Sequence, residues 1–286
     1  MRKKIVFFVG ALAAASALVA ITLHKSEPSR YVKRSKAHQY AIKQAGTLVG
    51  FNLVDPEQAP TEIRESVLHG YSIITNTPFY APNYAKNHLS CVNCHFCGGD
   101  TLGGKNNGIS LVGVTTHYPS YSKRDKKNIT IKDRISNCFK RSMNGIAPPE
   151  NSAIMNDIVN YLEWISKEVS GIKNIPWLGL KFLKSDHKPN IESGKKIYYK
   201  YCASCHGNNG EGSNPRSNPI AATRDLAVPP VWGPYSFNDG AGLDRIEMLS
   251  SFIYYNMPYQ DAHLDEEQSL DVAGFITEQS RPEFDG

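Results

Sequence analysis

Apolar side chains recur at helical spacing in several separate stretches of this 286-residue chain. Ile63, Val67, Tyr71 and Ile74 fall on one face of a helix predicted over 62–76, with Thr61 as its N-cap. Ile154, Ile158, Leu162, Ile165 and Val169 form a second such face over 152–169, which Gly171 ends. Asn190 caps a third helix carrying Ile197, Tyr198 and Tyr201; a fourth runs from Asp244 to Tyr254, and a last one covers 265–279. Loops lie between them. Gly98, Gly99, Gly103, Gly104 and Gly108 crowd one loop, and Gly, Pro and Asn dominate 207–245. Residues 38–60 mix short apolar groups with Gly50, Pro56 and Pro60, and read as an irregular extension. The pattern is that of a mainly α protein.

Two of these helices lead toward the same short motif. Cys91, Cys94 and His95 form C-x-x-C-H, and Cys202, Cys205 and His206 repeat it. The spacing sets two thiols on one turn, where each can add to a haem vinyl group, and points the adjacent imidazole at the iron. A single copy would also suit a zinc knuckle or a redox pair. Two complete copies behind an export signal predict two covalently bound haem c groups. The copies lie 111 residues apart, as do Trp164-Ile165 and Phe275-Ile276 in the two closing helices. The shared offset predicts two cytochrome c-type domains in tandem, each ordered helix, C-x-x-C-H, loops, helix. Domain 1 covers 61–171 and domain 2 covers 190–286. The linker, 172–189, contains Pro176 and Pro189 and packs on the surface through Trp177, Leu178, Leu180 and Phe182.

Arg2, Lys3 and Lys4 precede an apolar run of 19 residues from Ile5 to Leu23. Residues 1–24 therefore read as a signal peptide, with Ala15-Ser16-Ala17 as its cleavage site, or as a membrane anchor if uncut. Residues 25–60 follow as a tether and extension. The expected location is the periplasm, with membrane contact only through an uncleaved anchor. The net charge of +5 is modest. It argues against nucleic acid as a partner and favours small anions or an acidic protein. The charge is unevenly spread, since Lys123 to Arg141 holds eight basic residues and two acidic ones, Asp125 and Asp133.

Each motif histidine supplies one axial ligand, so the ligand opposite it sets the chemistry. In the second half Met257, in Tyr-Asn-Met-Pro ahead of the last helix, fits that place; Met248, inside the fourth helix, is its rival. The first half has Ile146 where Met257 would fall, and isoleucine binds no iron. Cys138, Met143, Met155 and His117 are the nearby candidates, of which Met155 reads as packing and His117 as structural. A thiolate would be a strong ligand amid the basic run. Cys97 and Cys138 could equally form a disulfide in an oxidising compartment. The residues alone leave both open.

Asp-Arg-Ile-Ser-Asn-Cys-Phe, from Asp133 to Phe139, resembles a block of the dihaem c-type thiosulfate dehydrogenase and tetrathionate reductase family. The resemblance extends to Leu89–His95, Leu111–Val114, Val231–Pro234, Asn256-Met257-Pro258 and Asp271–Ala273, and covers nearly all of the chain beyond residue 60. It implies that Cys138 binds the first haem, and that two thiosulfates and one tetrathionate are interconverted with two electrons exchanged with a soluble or membrane-bound cytochrome c. Arg124 and Arg134 match basic positions of the family's substrate pocket, and Ser142 a polar one; a guanidinium fork suits sulfonate oxygens. Lys123, Lys126, Lys127 and Lys132 would steer anions inward. Some relatives carry a lysine before the methionine, where this chain has Asn256. The rival functions are a Sox-type cytochrome acting on carrier-bound thiosulfate and a non-enzymatic dihaem electron carrier.

Overall fold

The computed structural model describes residues 39–44, 47–85, 89–172, 174–213 and 228–285. The export segment and the tether to residue 38 lie outside the described residues. The stretch read as irregular contains a hairpin instead. β1 (Gln39–Gln44) and β2 (Thr47–Asn52) pair antiparallel from Gln39↔Asn52 to Gln44↔Thr47. Tyr40, Ile42, Val49 and Phe51 give the two segments the β-branched and aromatic residues of strands, the two residues between them suit a tight hairpin, and Gly50 and the prolines after Asn52 do not interrupt it.

α1 (Thr61–Thr75) starts one residue before the predicted helix, and Pro60 rather than Thr61 is its N-cap. The Pro60 carbonyl accepts from the Ile63 and Arg64 amides at 3.0 and 2.9 Å, so no side-chain cap is needed to start the helix. Val67, Tyr71 and Ile74 are buried as the spacing requires, while Ile63 is exposed at the helix start. A short α2 (Thr77–Tyr80) precedes the first motif. β3 (Ser120–Ser122) and β4 (Lys127–Ile129) form a small hairpin across the basic run. It feeds α3 (Ile131–Asn137), where Thr130 and Asp133 make a reciprocal capping box. The chain then winds through a π-helical turn, Cys138–Ser142. α4 (Ala153–Ser166) is capped by Ser152 and packs on α1. At their crossing Gly70 leaves room for the Asp157 backbone; a Cβ there would overlap the Asp157 carbonyl. Tyr161, Phe139, Met155, Ile73 and Ile165 fill this core.

The described part of the 172–189 segment is coil that runs along the first half and then meets the second, where the Leu183 amide donates to Ser251 Oγ at 3.0 Å. Trp177 Nε1 donates to the Val112 carbonyl at 3.1 Å, and Leu178 bridges to Ser110. Phe182 stays exposed. Asn190 caps α5 (Ile191–Tyr201) through the Ser193 amide, and α6 (Ala203–His206) carries the second motif. α7 (Ile246–Asn256) starts and ends two residues later than predicted, and α8 (Glu266–Thr277) closes the second core against α5. Tyr198, Trp232, Val272 and Phe275 fill it. Gly194 meets the Asp271 carbonyl as Gly70 meets that of Asp157.

Those two crossings correct the repeat. Asp157 and Asp271 are 114 apart, so Tyr161 corresponds to Phe275, and the offset of 111 shared with the cysteines does not extend into the closing helices. The two offsets differ by about one helical turn, so either one superposes the same apolar stripe. From Gly70 to Cys91 the first half also uses 21 residues, against 8 from Gly194 to Cys202. The surplus includes α2.

One set of hydrogen bonds between the halves runs from the loop after the first motif to the end of α7. Lys105 Nζ donates to the Tyr254 carbonyl at 2.8 Å, and the Asn106 amide to that of Tyr255 at 2.9 Å. Asn106 Nδ2 donates to the Asn256 and Pro258 carbonyls, and the buried Asn256 Oδ1 accepts from the Gly108 amide at 2.9 Å. Phe96 adds edge-on contacts to Phe252 and Tyr259.

Candidate functional site

A tight turn at Cys91–Asn93, closed by Asn93 Oδ1 accepting from the Ser90 amide at 2.7 Å, presents Cys91, Cys94 and His95 to one cavity of about 1080 Å³. Burial pushes both thiols up to about 12, so they are protonated at neutral pH. His95 Nδ1 lies 2.8 Å from the Ile109 carbonyl. Nδ1 therefore holds the proton, and the Nε2 lone pair is left to bind a metal. Burial also pulls His95 down to about 4, which keeps the imidazole neutral. Gly108 makes this possible. Its φ of +66° brings the chain back against the motif, where a Cβ would fall 2.6 Å from the Cys94 carbonyl.

The second motif repeats the chemistry on helical backbone. Cys202, Cys205 and His206 line the same cavity. His206 Nδ1 meets the Pro229 carbonyl at 2.9 Å, and burial lowers the imidazole and raises the Cys202 thiol to about 12. A tyrosine hydroxyl ties down each motif: Tyr161 to the Gly98 carbonyl at 2.9 Å, Tyr198 to that of Gly207 at 2.7 Å. Neutral paired thiols, an imidazole with Nε2 left over and walls such as Ile74, Leu89, Leu249 and Phe252 fit covalently bound haem c.

Cys138, Arg134, Ser142 and Met143 share this cavity with the first motif. Arg134 NH1 donates to Cys138 Sγ at 2.9 Å, four residues along the same helical face. The Cys138 charge is the main cause that raises the Arg134 guanidinium, and Tyr118 contributes a further hydrogen bond to it. The cysteine also raises Cys91 and Cys94, a measure of how near it lies to them. Cys138 forms no disulfide with Cys97. Of the other first-half candidates, Met155 is core and Ile146 points to solvent, neither lining the cavity. His117, expected to be structural, does line it. In the second half Met257 follows α7, and both it and Met248 reach the wall.

Arg124 is not brought onto that wall. Its NH1 donates to the Gly240 carbonyl at 2.7 Å, which ties the β3–β4 hairpin to the loop before α7. Burial, then the charges of Arg141, Arg245 and Arg134, lower its guanidinium, so four arginines share one neighbourhood with Asp125. Asp125 is held by Ser122, Asn137 and Arg141. Tyr118, Arg245 and the two histidine-orienting carbonyls are not legible from residue order, because each acts through a contact made only on folding.

Comparison with known proteins adds a family. The family described as "Cytochrome c" matches residues 191–280. The thiosulfate dehydrogenase of Allochromatium vinosum is 34% identical over 221 residues, 77% of this chain and 80% of that one. That of Thiomonas intermedia is 36% identical over 216 residues, 75% of this chain and 65% of its own. A solved thiosulfate dehydrogenase (TsdBA) from Marichromatium purpuratum, in its "as isolated" form, superposes with a TM-score of 0.73 at 26% identity. It covers 82% of this chain, which spans about half of that longer chain, 51%.

Proposed function

Since the chain belongs to the thiosulfate dehydrogenase family, we propose that it is a periplasmic dihaem oxidoreductase that interconverts two thiosulfates and tetrathionate. It is an oxidoreductase of cytochrome c type. One haem c is assigned to each C-x-x-C-H motif, in two tandem domains, 61–171 and 190–286, joined by 172–189. The observation that carries the reading is Cys138, facing the first motif across the cavity with Arg134 on its sulfur. Nothing in a plain electron carrier calls for a cationic group on that side.

In the forward direction one S–S bond forms between two dianions and two electrons leave, with no proton released. The protein must therefore overcome repulsion between its own substrates. Arg134 offers its guanidinium at the cavity wall, and Ser142 offers a hydroxyl there. Arg124, Arg141 and Arg245 raise the local positive potential, and Lys123, Lys126, Lys127 and Lys132 extend it outward. Arg124 then acts on the substrate by field rather than by touch. Cys138, whose sulfur accepts from Arg134, would hold the first haem together with His95, and Met257 with its softer thioether would hold the second together with His206. When bound, haem c supplies one-electron centres through which the two electrons pass to an external cytochrome c.

The test is turnover of free thiosulfate by the purified holoprotein, with an external cytochrome c and no sulfur-carrier protein. Tetrathionate formation, or its reduction in the reverse assay, is the expected result. Activity only on carrier-bound thiosulfate would assign the chain to Sox-type chemistry, and no activity on either would leave an electron carrier.

A further inference from the structure

The turn that begins at Cys138 is not held by its own helix alone. The Met143 amide donates to the Cys138 carbonyl at 3.1 Å, five residues back, which is the π pattern. The Gly145 amide goes to Phe139 at 2.8 Å. The Lys140 and Arg141 carbonyls thereby lose the donors that a continuing α-helix would give them, and the Arg141 carbonyl keeps a long 3.4 Å bond from the Asn144 amide. Both are served by Asn238, from the loop of the other half that precedes α7. Asn238 Nδ2 donates to the Lys140 carbonyl at 2.8 Å, and its backbone amide to the Arg141 carbonyl at 3.2 Å. The same Nδ2 reaches Asn144 Oδ1 at 3.0 Å.

The side chain is buried, with 1% exposure. Its Oδ1 has no hydrogen-bond partner among the described residues, although Nδ2 serves two acceptors. The orientation is dictated by chemistry, because the Lys140 carbonyl only accepts and a flipped amide would set oxygen against oxygen. A buried amide that leaves its own acceptor unmatched to serve two others holds the turn at a cost to itself. The opening residue of that turn is the one whose sulfur meets Arg134.

We propose that Asn238 is a positioning residue for the Cys138 sulfur: by completing the π turn it fixes where Cys138 and Ser142 stand relative to Arg134 and the first motif. Without its donors the turn relaxes toward α-helical bonding, which swings Ser142 and Met143 about the helix axis relative to Cys138. The second half thus sets the geometry of the first half's reaction side. This rests on the assignment of Cys138 opposite His95.

The experiment is electron paramagnetic resonance of oxidised holoprotein, comparing wild type, Asn238→Ala and Asn238→Gln. In the alanine variant the ratio of thiolate-ligated low-spin signal to other forms falls by about tenfold, the equilibrium weight of one lost hydrogen bond. The methionine-ligated signal stays unmoved, and glutamine, which keeps the amide donor, restores part of the thiolate signal. A thiolate signal unchanged in Asn238→Ala, with only the melting temperature lowered, overturns the proposal. If Asn238→Ala does not accumulate, Asn238→Ser, with a shorter donor, is read by the same two criteria. A wild-type protein with no thiolate signal at all overturns the Cys138 assignment instead, and is told apart by that control.

Discussion

The two C-x-x-C-H sites are anchored alike and faced differently. On the anchoring side each histidine gives its Nδ1 proton to a backbone carbonyl, Ile109 in one half and Pro229 in the other, and burial keeps it neutral. On the cavity wall the first half brings Cys138 with a guanidinium on its sulfur, and the second brings Met257 packed on an apolar core. The shared part is what cofactor attachment requires, so it survives on two different backbones. The unlike part is where reactivity is chosen. The match to the cytochrome c family spans residues 191–280, in the second half, and the first half differs from the second by the surplus residues before Cys91 and the π turn after α3.

The widest gap between the halves is expected from Cys138→Gly. Thiosulfate-dependent reduction of an external cytochrome c falls by about a hundredfold or more, measured by stopped flow. Met257→Gly changes the spectrum and potential of the second site and leaves the KM for thiosulfate unmoved. Equal loss of substrate affinity in both variants would break the comparison.

The helix crossings predict a likeness instead. Gly70→Ala and Gly194→Ala each force a methyl onto an aspartate carbonyl and cost about 1–3 kcal/mol by overpacking, read from thermal unfolding of the holoprotein. A large effect at one crossing and none at the other would show that the two helix pairs are not equivalent.

Arg134→Met removes the charged donor to Cys138 and raises the KM for thiosulfate about tenfold, as expected from one lost charge-assisted hydrogen bond of ~1.5 kcal/mol. Arg124→Met, which removes field and the bond to Gly240 but no group on the cavity wall, raises it less and does so mainly at low salt. Initial rates across a salt series separate the two arginines.

The smallest expected effect is a pH dependence confined to the second half. His187 Nε2 lies 2.7 Å from Asp271 Oδ1, and this bond, with the carboxylate's charge, raises the imidazole above its ordinary 6.5. The raised group stabilises the fold fully below pH ~6.5, and that contribution is lost as pH rises through its folded value. His187→Gln should therefore flatten the melting temperature between mildly acid and alkaline pH. A slope that persists in the variant would assign it to another group.

Much of this was legible beforehand. Asn190 and the apolar stripes marked helices because capping and periodicity are local, and the cysteine spacing marked the two clusters of paired thiols and histidine because that motif is local too. Thr61 failed as a cap because the preceding proline already supplied the carbonyl that starts the helix. The β1–β2 hairpin was missed where glycine and proline were weighed above the β-branched and aromatic residues of both segments. The fate of Arg124 could not be read at all, since its partner is the Gly240 carbonyl 116 residues away. Asn238 belongs to the same class, its role visible only once a turn from the other half lies against it.

The bonds from Asn106 and Gly108 to Asn256 have a bearing on how such chains can be recombined. The loop that ends on the histidine-orienting Ile109 is stitched to the residue just before Met257. A chimera cut in the linker would inherit one side of that seam from each parent, and so mismatch both sites at once. The exchangeable unit is the seam itself, residues 104–109 together with 254–259, and not the half.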